Sequence, residues 1–175
     1  MPIRSPNPAQ ASGRPAGSSS KSDWVHCLWP VVLWAVLISI FSTGIFTDQH
    51  TSTVIIPVLH WLFPKASHHT LLLMHHYIRK IGHFVEYFVF SLLILRAIRA
   101  GRKDTRLTWA LAAVLIVAGY ASLDEFHQSF VPGRTPAVTD VLLDTSGGAA
   151  AQIIAALVLL WGHVRHEQNR ESKKV

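Results

Sequence analysis

The sequence predicts an all-α integral membrane protein with four transmembrane helices, cytoplasmic N- and C-termini and a short interfacial helix between the first and second spans. Hydrophobic residues make up 50% of the 175 residues. Charged residues make up only 15%, against about 25% in soluble domains. The charges are clustered, and the apolar stretches between them are long enough to enter a bilayer. The chain length of 175 residues indicates a single domain.

The N-terminal part of the chain divides into a tail and a first span. Residues 1–22 are rich in Pro and Ser and lack any apolar period, which predicts a disordered cytoplasmic tail. Residues 25–45 form an apolar run too long for a signal peptide, without a small-residue cleavage site, and therefore predict an uncleaved transmembrane helix. A membrane domain is expected over residues 23–163, followed by a basic cytoplasmic tail over residues 164–175.

A shorter apolar block follows the first span. Residues 54–64 are too few to cross a bilayer and are bracketed by prolines, which favours a short helix in the interface or a re-entrant segment. Ser67 is expected to cap the next helix.

The second span is expected over residues 81–98. Lys80, His83 and Tyr87 fall within about 60° of arc around this helix, and Glu86 lies about 60° further round. The pattern predicts one polar face at one end of an otherwise apolar helix.

The third span, over residues 107–123, ends in a polar cluster of Asp124, Glu125 and Gln128. Asp124 and Gln128 are four residues apart and share a face if the helix continues. The Pro- and Gly-containing segment that follows predicts a turn carrying Arg134.

The fourth span, over residues 138–162, places acidic and small residues on one face. Small residues let helices approach closely in lipid, so this face is expected to pack inward and to carry its aspartates with it. The face comprises Asp140, Asp144, Gly147, Gly148 and Ala151.

The distribution of positive charge predicts the orientation. Twelve Lys and Arg residues belong to the two tails and the connection between the second and third spans, and four lie on the other side. This asymmetry places both termini in the cytoplasm and the polar helix ends at the outer leaflet. The net charge of the protein is +6, and its positive residues lie beside the apolar spans. This position favours anionic lipid headgroups rather than nucleic acid as their binding partner. Nothing in the sequence indicates an oligomeric state.

Several motifs together resemble the VanZ-like family. They are the Lys-Ile-Gly-His-Phe-Val-Glu-Tyr segment at residues 80–87, Asp124-Glu125-x-x-Gln128, Pro132-Gly133-Arg134, Asp140 and the helix with Gly147-Gly148. The resemblance covers about residues 34–161 and implies a small multi-pass protein of the bacterial cytoplasmic membrane. The family takes its name from a member that lowers susceptibility to the glycopeptide teicoplanin, so it implies an effect on glycopeptide susceptibility.

The polar residues at this end of the protein predict a headgroup-binding site. Lys80 and Arg134 would hold a phosphate or carboxylate of a membrane lipid or lipid-linked cell-wall precursor. Two alternatives stay open: charge pairs that only lock helices together, or an enzyme that modifies a headgroup. The candidate residues are Lys80, His83, Glu86, Asp124, Glu125, Gln128, Arg134, Asp140 and Asp144.

For the enzyme alternative, His83 or Glu125 is the candidate general base. No Ser, Cys or Thr stands in a recognisable nucleophile motif. No cofactor or metal is predicted, although His83 and His127 with Asp124 or Glu125 have suitable ligand types for a divalent metal.

Overall fold

The computed structural model describes residues 21–42, 48–99, 106–131 and 137–172, which form helices and short connections without any strand. The predicted tail at 1–22 and the predicted turn at 131–137, with Arg134, fall mostly outside these described residues. The helices are α1 (Lys21–Ser42), α2 (Asp48–Leu62), α3 (His68–Arg99), α4 (Leu107–Gln128) and α5 (Val138–Glu171).

Four of these helices are long and apolar enough to cross a membrane, which confirms the predicted number of spans. The spanning segments are Val25–Ser42, His68–Arg99, Leu107–Gln128 and Val138–Gly162. The apolar part of α2, Thr51–Leu62, is too short to span. That α2 is helical agrees with the sequence; its location in the interface stays a prediction.

α3 is the central helix of the bundle and packs against each of the other four. α5 packs along α3 and α4, whereas α1 lies on the other side, against α3 and α4. Residues buried between these helices include both aromatic and small side chains, and large apolar side chains remain exposed around the outside, as expected where lipid is the solvent. The buried cluster comprises Ile38, Tyr87, Phe90, Ile94, Ala113, Val117 and Ala121.

The helix that carries the second span is longer than its apolar stretch suggested. α3 begins at His68, where Ser67 caps it as predicted by accepting a hydrogen bond from the Thr70 backbone N–H at 3.2 Å. Its 32 residues extend about 48 Å, more than the roughly 30 Å of a hydrocarbon core. The predicted span at 81–98 is therefore the C-terminal part of a longer helix.

The first turns of α3 pack against α2. A hydrogen bond of 3.1 Å joins His75 Nε2 to Thr51 Oγ1, and Leu59 and Leu71 are both buried. α2 is thereby held beside the N-terminal part of α3.

The last helix also extends beyond its predicted span. α5 continues past Gly162 to Glu171, so most of the basic tail expected at 164–175 is helical. The cause is local: Glu, Gln and Arg favour helix, and neither Pro nor Gly follows Gly162.

Candidate functional site

The predicted polar residues lie at one end of the bundle, where α1 and α4 end and α5 begins. We call this the polar end. Lys80 Nζ on α3 lies 3.6 Å from Asp140 Oδ1 on α5. One turn deeper, His83 Nδ1 lies 3.9 Å from Asp144 Oδ1. Two residues of α3 thus face two residues of α5 across a single helix–helix contact.

This register depends on two adjacent glycines of α5. A Cβ at Gly147 would collide with the backbone carbonyl oxygen of Phe84 on α3, and a Cβ at Gly148 would come within 2.8 Å of Val117 Cγ1 on α4. The predicted close packing of the Gly face is confirmed. It carries Asp144 into the bundle, where the residue is only 4% exposed.

The end of α4 contributes an interhelical hydrogen-bond network. Gln128 Nε2 donates to Asp124 Oδ2 at 2.8 Å and to Ser42 Oγ on α1 at 2.9 Å. Asp124 and Gln128 therefore share a face, as their spacing predicted, and α4 does continue as far as Gln128. Their side chains join α4 to the end of α1.

Glu125 connects α4 to α5. Its Oε1 accepts a hydrogen bond from the backbone N–H of Ala137, the residue immediately before α5. A carboxylate there satisfies one backbone donor of the helix start and faces the positive end of the helix dipole. This contact assigns Glu125 a structural position at the start of α5.

Glu86 is placed differently from these paired residues. Its backbone carbonyl accepts a 2.9 Å hydrogen bond from Trp34 Nε1, which fixes α1 against α3. Its Oε1 is shielded from solvent and has no hydrogen-bond partner among the described residues. The neighbouring Tyr87 is fully buried, and its hydroxyl likewise lacks a partner there.

Beside Glu86, an open groove of about 370 Å³ lies between α1, α2 and α3. This volume is within the usual range of small-molecule sites. We call it the α1–α3 groove. It is lined by Trp34 and Phe41 of α1, Thr51 of α2, and Arg79, His83 and Glu86 of α3.

The ionisable groups that line the groove lie on α3 and include both signs of charge. Arg79 offers a guanidinium with five N–H donors, Glu86 offers acceptors, and His83 can do either according to its protonation and tautomer. His83 lines the groove while its Nδ1 faces Asp144, an arrangement in which a carboxylate could orient an imidazole base. The rest of the lining is mostly aromatic and apolar.

The structure gathers most, but not all, of the predicted site. Eight of the nine candidates lie in the described residues at the polar end, and Arg134 is outside them. His127 is exposed and lines a separate groove between α1 and α4, with Val31, Ser39 and Tyr120. The metal-ligand set considered from the sequence is not assembled, and the described residues contain no group of three or more His, Cys, Asp or Glu placed to hold a metal ion.

Two residues that line the groove, Arg79 and Trp34, were not predicted from the sequence to belong to a site. Arg79 was counted only as one of four outer charges, although it shares a helical face with His83 and Glu86. Trp34 lies inside a span, where an indole N–H needs an acceptor, and that requirement could have indicated a helix contact. The groove itself depends on the packing of α2, which no local pattern specifies.

The amino-acid sequence matches a known protein family. A sequence model described as VanZ/LLP1 matches residues 27–160, more than three quarters of the chain. The chain belongs to the VanZ/LLP1 family. The VanZ-like resemblance read from the motifs is thus confirmed, and this VanZ/LLP1 protein is a multi-pass membrane protein with four candidate spans. Searches of curated proteins and of solved structures found no match.

Proposed function

We propose that this VanZ/LLP1 protein binds the polar headgroup of a membrane lipid, or of a lipid-linked cell-wall precursor, in the α1–α3 groove. The observation that carries the proposal is that Arg79, His83 and Glu86 line one mostly apolar groove on the side of the bundle. A ligand with a charged head and an apolar body matches such a lining. A headgroup donor would also satisfy Glu86 Oε1, which lacks a partner among the described residues.

The other predicted site residues support the groove indirectly. Lys80 pairs with Asp140, Asp124 with Gln128, and Glu125 with the Ala137 backbone. The helix-pairing alternative accounts for these contacts. It does not explain the groove, nor Glu86 Oε1, which has no partner among the described residues. Arg134 lies outside the described residues, and its role in binding phosphate stays a prediction from the sequence.

The predicted orientation sets the cellular context of this proposal. With both termini in the cytoplasm of a bacterium, the polar end faces the outer leaflet of the cytoplasmic membrane. A protein that sequesters a headgroup there would alter surface chemistry and the access of glycopeptides. An effect on glycopeptide susceptibility is therefore part of the proposal.

The test is mass spectrometry of lipids that co-purify with the protein after incubation with an envelope lipid extract. Wild type is compared with an Arg79→Gln, Glu86→Gln double variant. The matched control is Arg165→Gln, Glu171→Gln, which removes one cation and one carboxylate from the exposed end of α5. We expect the control to retain the same lipid as wild type and the groove variant to lose it.

Three outcomes separate the hypotheses. Retention of an unaltered lipid by wild type and control, but not by the groove variant, supports headgroup binding. A lipid that is chemically altered by wild type and control, but not by the groove variant, would identify the protein as an enzyme, with His83 as the candidate general base. Identical lipid content in all three proteins contradicts the proposed site and leaves helix pairing as the role of the polar end.

A further inference from the structure

The two formal charges that line the α1–α3 groove lie along the axis of α3. Arg79 and Glu86 are seven residues apart, which is two turns or about 10 Å along the helix. Both residues line the same groove, with His83 between them. A purely anionic headgroup would be attracted by Arg79 and repelled by Glu86, whereas a purely cationic headgroup would be attracted by Glu86 and repelled by Arg79. A dipolar headgroup can match both ends.

Buried carboxylate oxygens occur at Glu86, which lines the groove, and at Asp144 of α5, which is not part of the groove lining. Glu86 Oε1 and Asp144 Oδ1 are buried without hydrogen-bond partners among the described residues. Asp144 is more than nine-tenths buried, and its ion-pair separation from His83, 3.9 Å, exceeds hydrogen-bond length. The hydroxyl of Tyr87, fully buried beside Glu86, also lacks a partner among the described residues and can both donate and accept. Of these groups, only Glu86 lines the groove, and its Oε1 can accept a hydrogen bond from a ligand that brings a donor.

The sign of the surrounding charge favours a cationic donor over a neutral hydroxyl. Asp124 lies close enough to Glu86, and Asp124, Asp140 and Glu86 lie close enough to Asp144, for negative charges on these groups to repel one another. Trp34 and Phe41 line the groove and reduce screening by water. A primary ammonium carries three N–H donors and a positive charge, whereas a trimethylammonium carries the charge and no donor.

We infer that the headgroup bound in the α1–α3 groove is zwitterionic, with a phosphate held at Arg79 and a primary ammonium directed towards Glu86. Phosphoethanolamine is the simplest group of this class. The inference rests on the proposed headgroup function and specifies its ligand. The ammonium end lies nearer to the acidic interior of the polar end, and the phosphate lies nearer to α2.

The first test uses wild-type protein alone. Lipids with identical acyl chains and an increasingly methylated amine are offered in equal amounts, from phosphatidylethanolamine through its N-methyl and N,N-dimethyl derivatives to phosphatidylcholine. Each methyl group removes a donor and leaves the charge unchanged. We expect retention, measured by native mass spectrometry, to fall along the series by at least about tenfold overall, which is the lower limit for the loss of a hydrogen bond to a charged group. Equal retention across the series would overturn the inference.

The second test uses the groove variants and adds phosphatidylglycerol and phosphatidylinositol as anionic and polyhydroxyl competitors. Glu86→Gln keeps the shape of the side chain, and we expect it to abolish the preference for phosphatidylethanolamine over phosphatidylglycerol. Arg79→Gln is expected to weaken retention of both lipids. The Arg165→Gln, Glu171→Gln control should behave as wild type.

The two proposals fail in different ways. If wild type retains phosphatidylglycerol or phosphatidylinositol best, and the Arg79→Gln, Glu86→Gln variant loses it, the groove binds a headgroup but not an amine, and only the present inference is wrong. If wild type and that double variant retain every lipid equally, the proposed function is wrong as well.

Discussion

At the scale of single residues, Gly147 and Gly148 decide how closely three helices approach. Adjacent residues on a helix point about 100° apart, so one glycine faces α3 and the next faces α4. In lipid, where apolar surface gains little from burial, such close backbone packing is a main source of helix association. Asp144 lies one turn before these glycines, and their close packing explains why its side chain is buried in the bundle.

We predict that Gly147→Ala lowers the free energy of unfolding in detergent by about 1–3 kcal/mol, the usual cost of overpacking. The added Cβ would meet the backbone of Phe84, which cannot rotate away as a side chain can. Gly119→Ala is the matched control, because nothing lies within 4 Å of a Cβ at Gly119. Denaturant titration of both variants checks the prediction, and equal stabilities would contradict it.

Residue-level prediction from the sequence succeeded where partners share a helix. Asp124 and Gln128 are four residues apart, so their contact follows from helical geometry alone. The inward direction of Asp144 followed from its sharing a face with glycines. Neither the hydrogen bond from the Ala137 backbone to Glu125 nor that from Trp34 to the Glu86 backbone carbonyl could be predicted. A contact between two helices depends on their relative rotation and depth.

At the scale of elements, α3 and α5 are joined by a buried polar contact in the half of the bundle beyond the glycines. Gln152 Nε2 donates to Ser91 O at 3.1 Å and to Ser91 Oγ at 2.7 Å. The Ser91 hydroxyl in turn donates to the Gly148 carbonyl at 2.9 Å. This chain of bonds fixes the rotation of α5 relative to α3 at a second point, below the Lys80–Asp140 pair.

A double-mutant cycle with Ser91→Ala and Gln152→Ala should show this coupling. We expect an interaction energy of about 0.6 kcal/mol and no more than about 1.7 kcal/mol, the range for interhelical hydrogen bonds in membranes. The control cycle pairs Gln152→Ala with Ser122→Ala, whose hydroxyl donates within its own helix, to Ala118 O at 2.8 Å. Its coupling should be near zero, and comparable values in the two cycles would refute the contact.

Element boundaries were predicted less well than element number, and the reason is physical. Hydropathy marks where a chain enters lipid, whereas a helix ends only where its backbone is interrupted. No Pro or Gly lies between Ser67 and Gly82, so α3 begins at His68 despite the His, Arg and Lys residues in its first turns. The α1–α3 groove was not foreseen, because it forms only when α2 packs beside this extension.

At the scale of the whole molecule, the two ends of the bundle differ in charge. The polar end holds Lys80 and the five candidate carboxylates, Glu86, Asp124, Glu125, Asp140 and Asp144. The opposite end carries Arg96, Arg99 and Arg106. Arg106 lies 5.3 Å from the centre of the Trp109 ring, and Arg165 lies 3.6 Å from that of Trp161. Cations stacked on indoles at helix ends are typical of a membrane–water boundary.

The predicted orientation can be tested with single cysteines in a Cys27→Ala background. Ser129→Cys lies at the polar end and Ser172→Cys follows α5; both positions are exposed. A membrane-impermeant maleimide should label Ser129→Cys in intact cells and Ser172→Cys only after lysis. The reverse pattern would place the polar end in the cytoplasm and remove the outer-leaflet part of the proposed function.

The α1–α3 groove lies on the flank of the bundle rather than along its axis. Phe41 and Val85, on its rim, are 45% and 50% exposed and would face acyl chains in a bilayer. A lipid ligand would therefore enter sideways by two-dimensional diffusion, with its tails never leaving the membrane. Occupancy would then be governed by the mole fraction of that lipid in one leaflet, so a change in membrane composition alone could load or empty the protein.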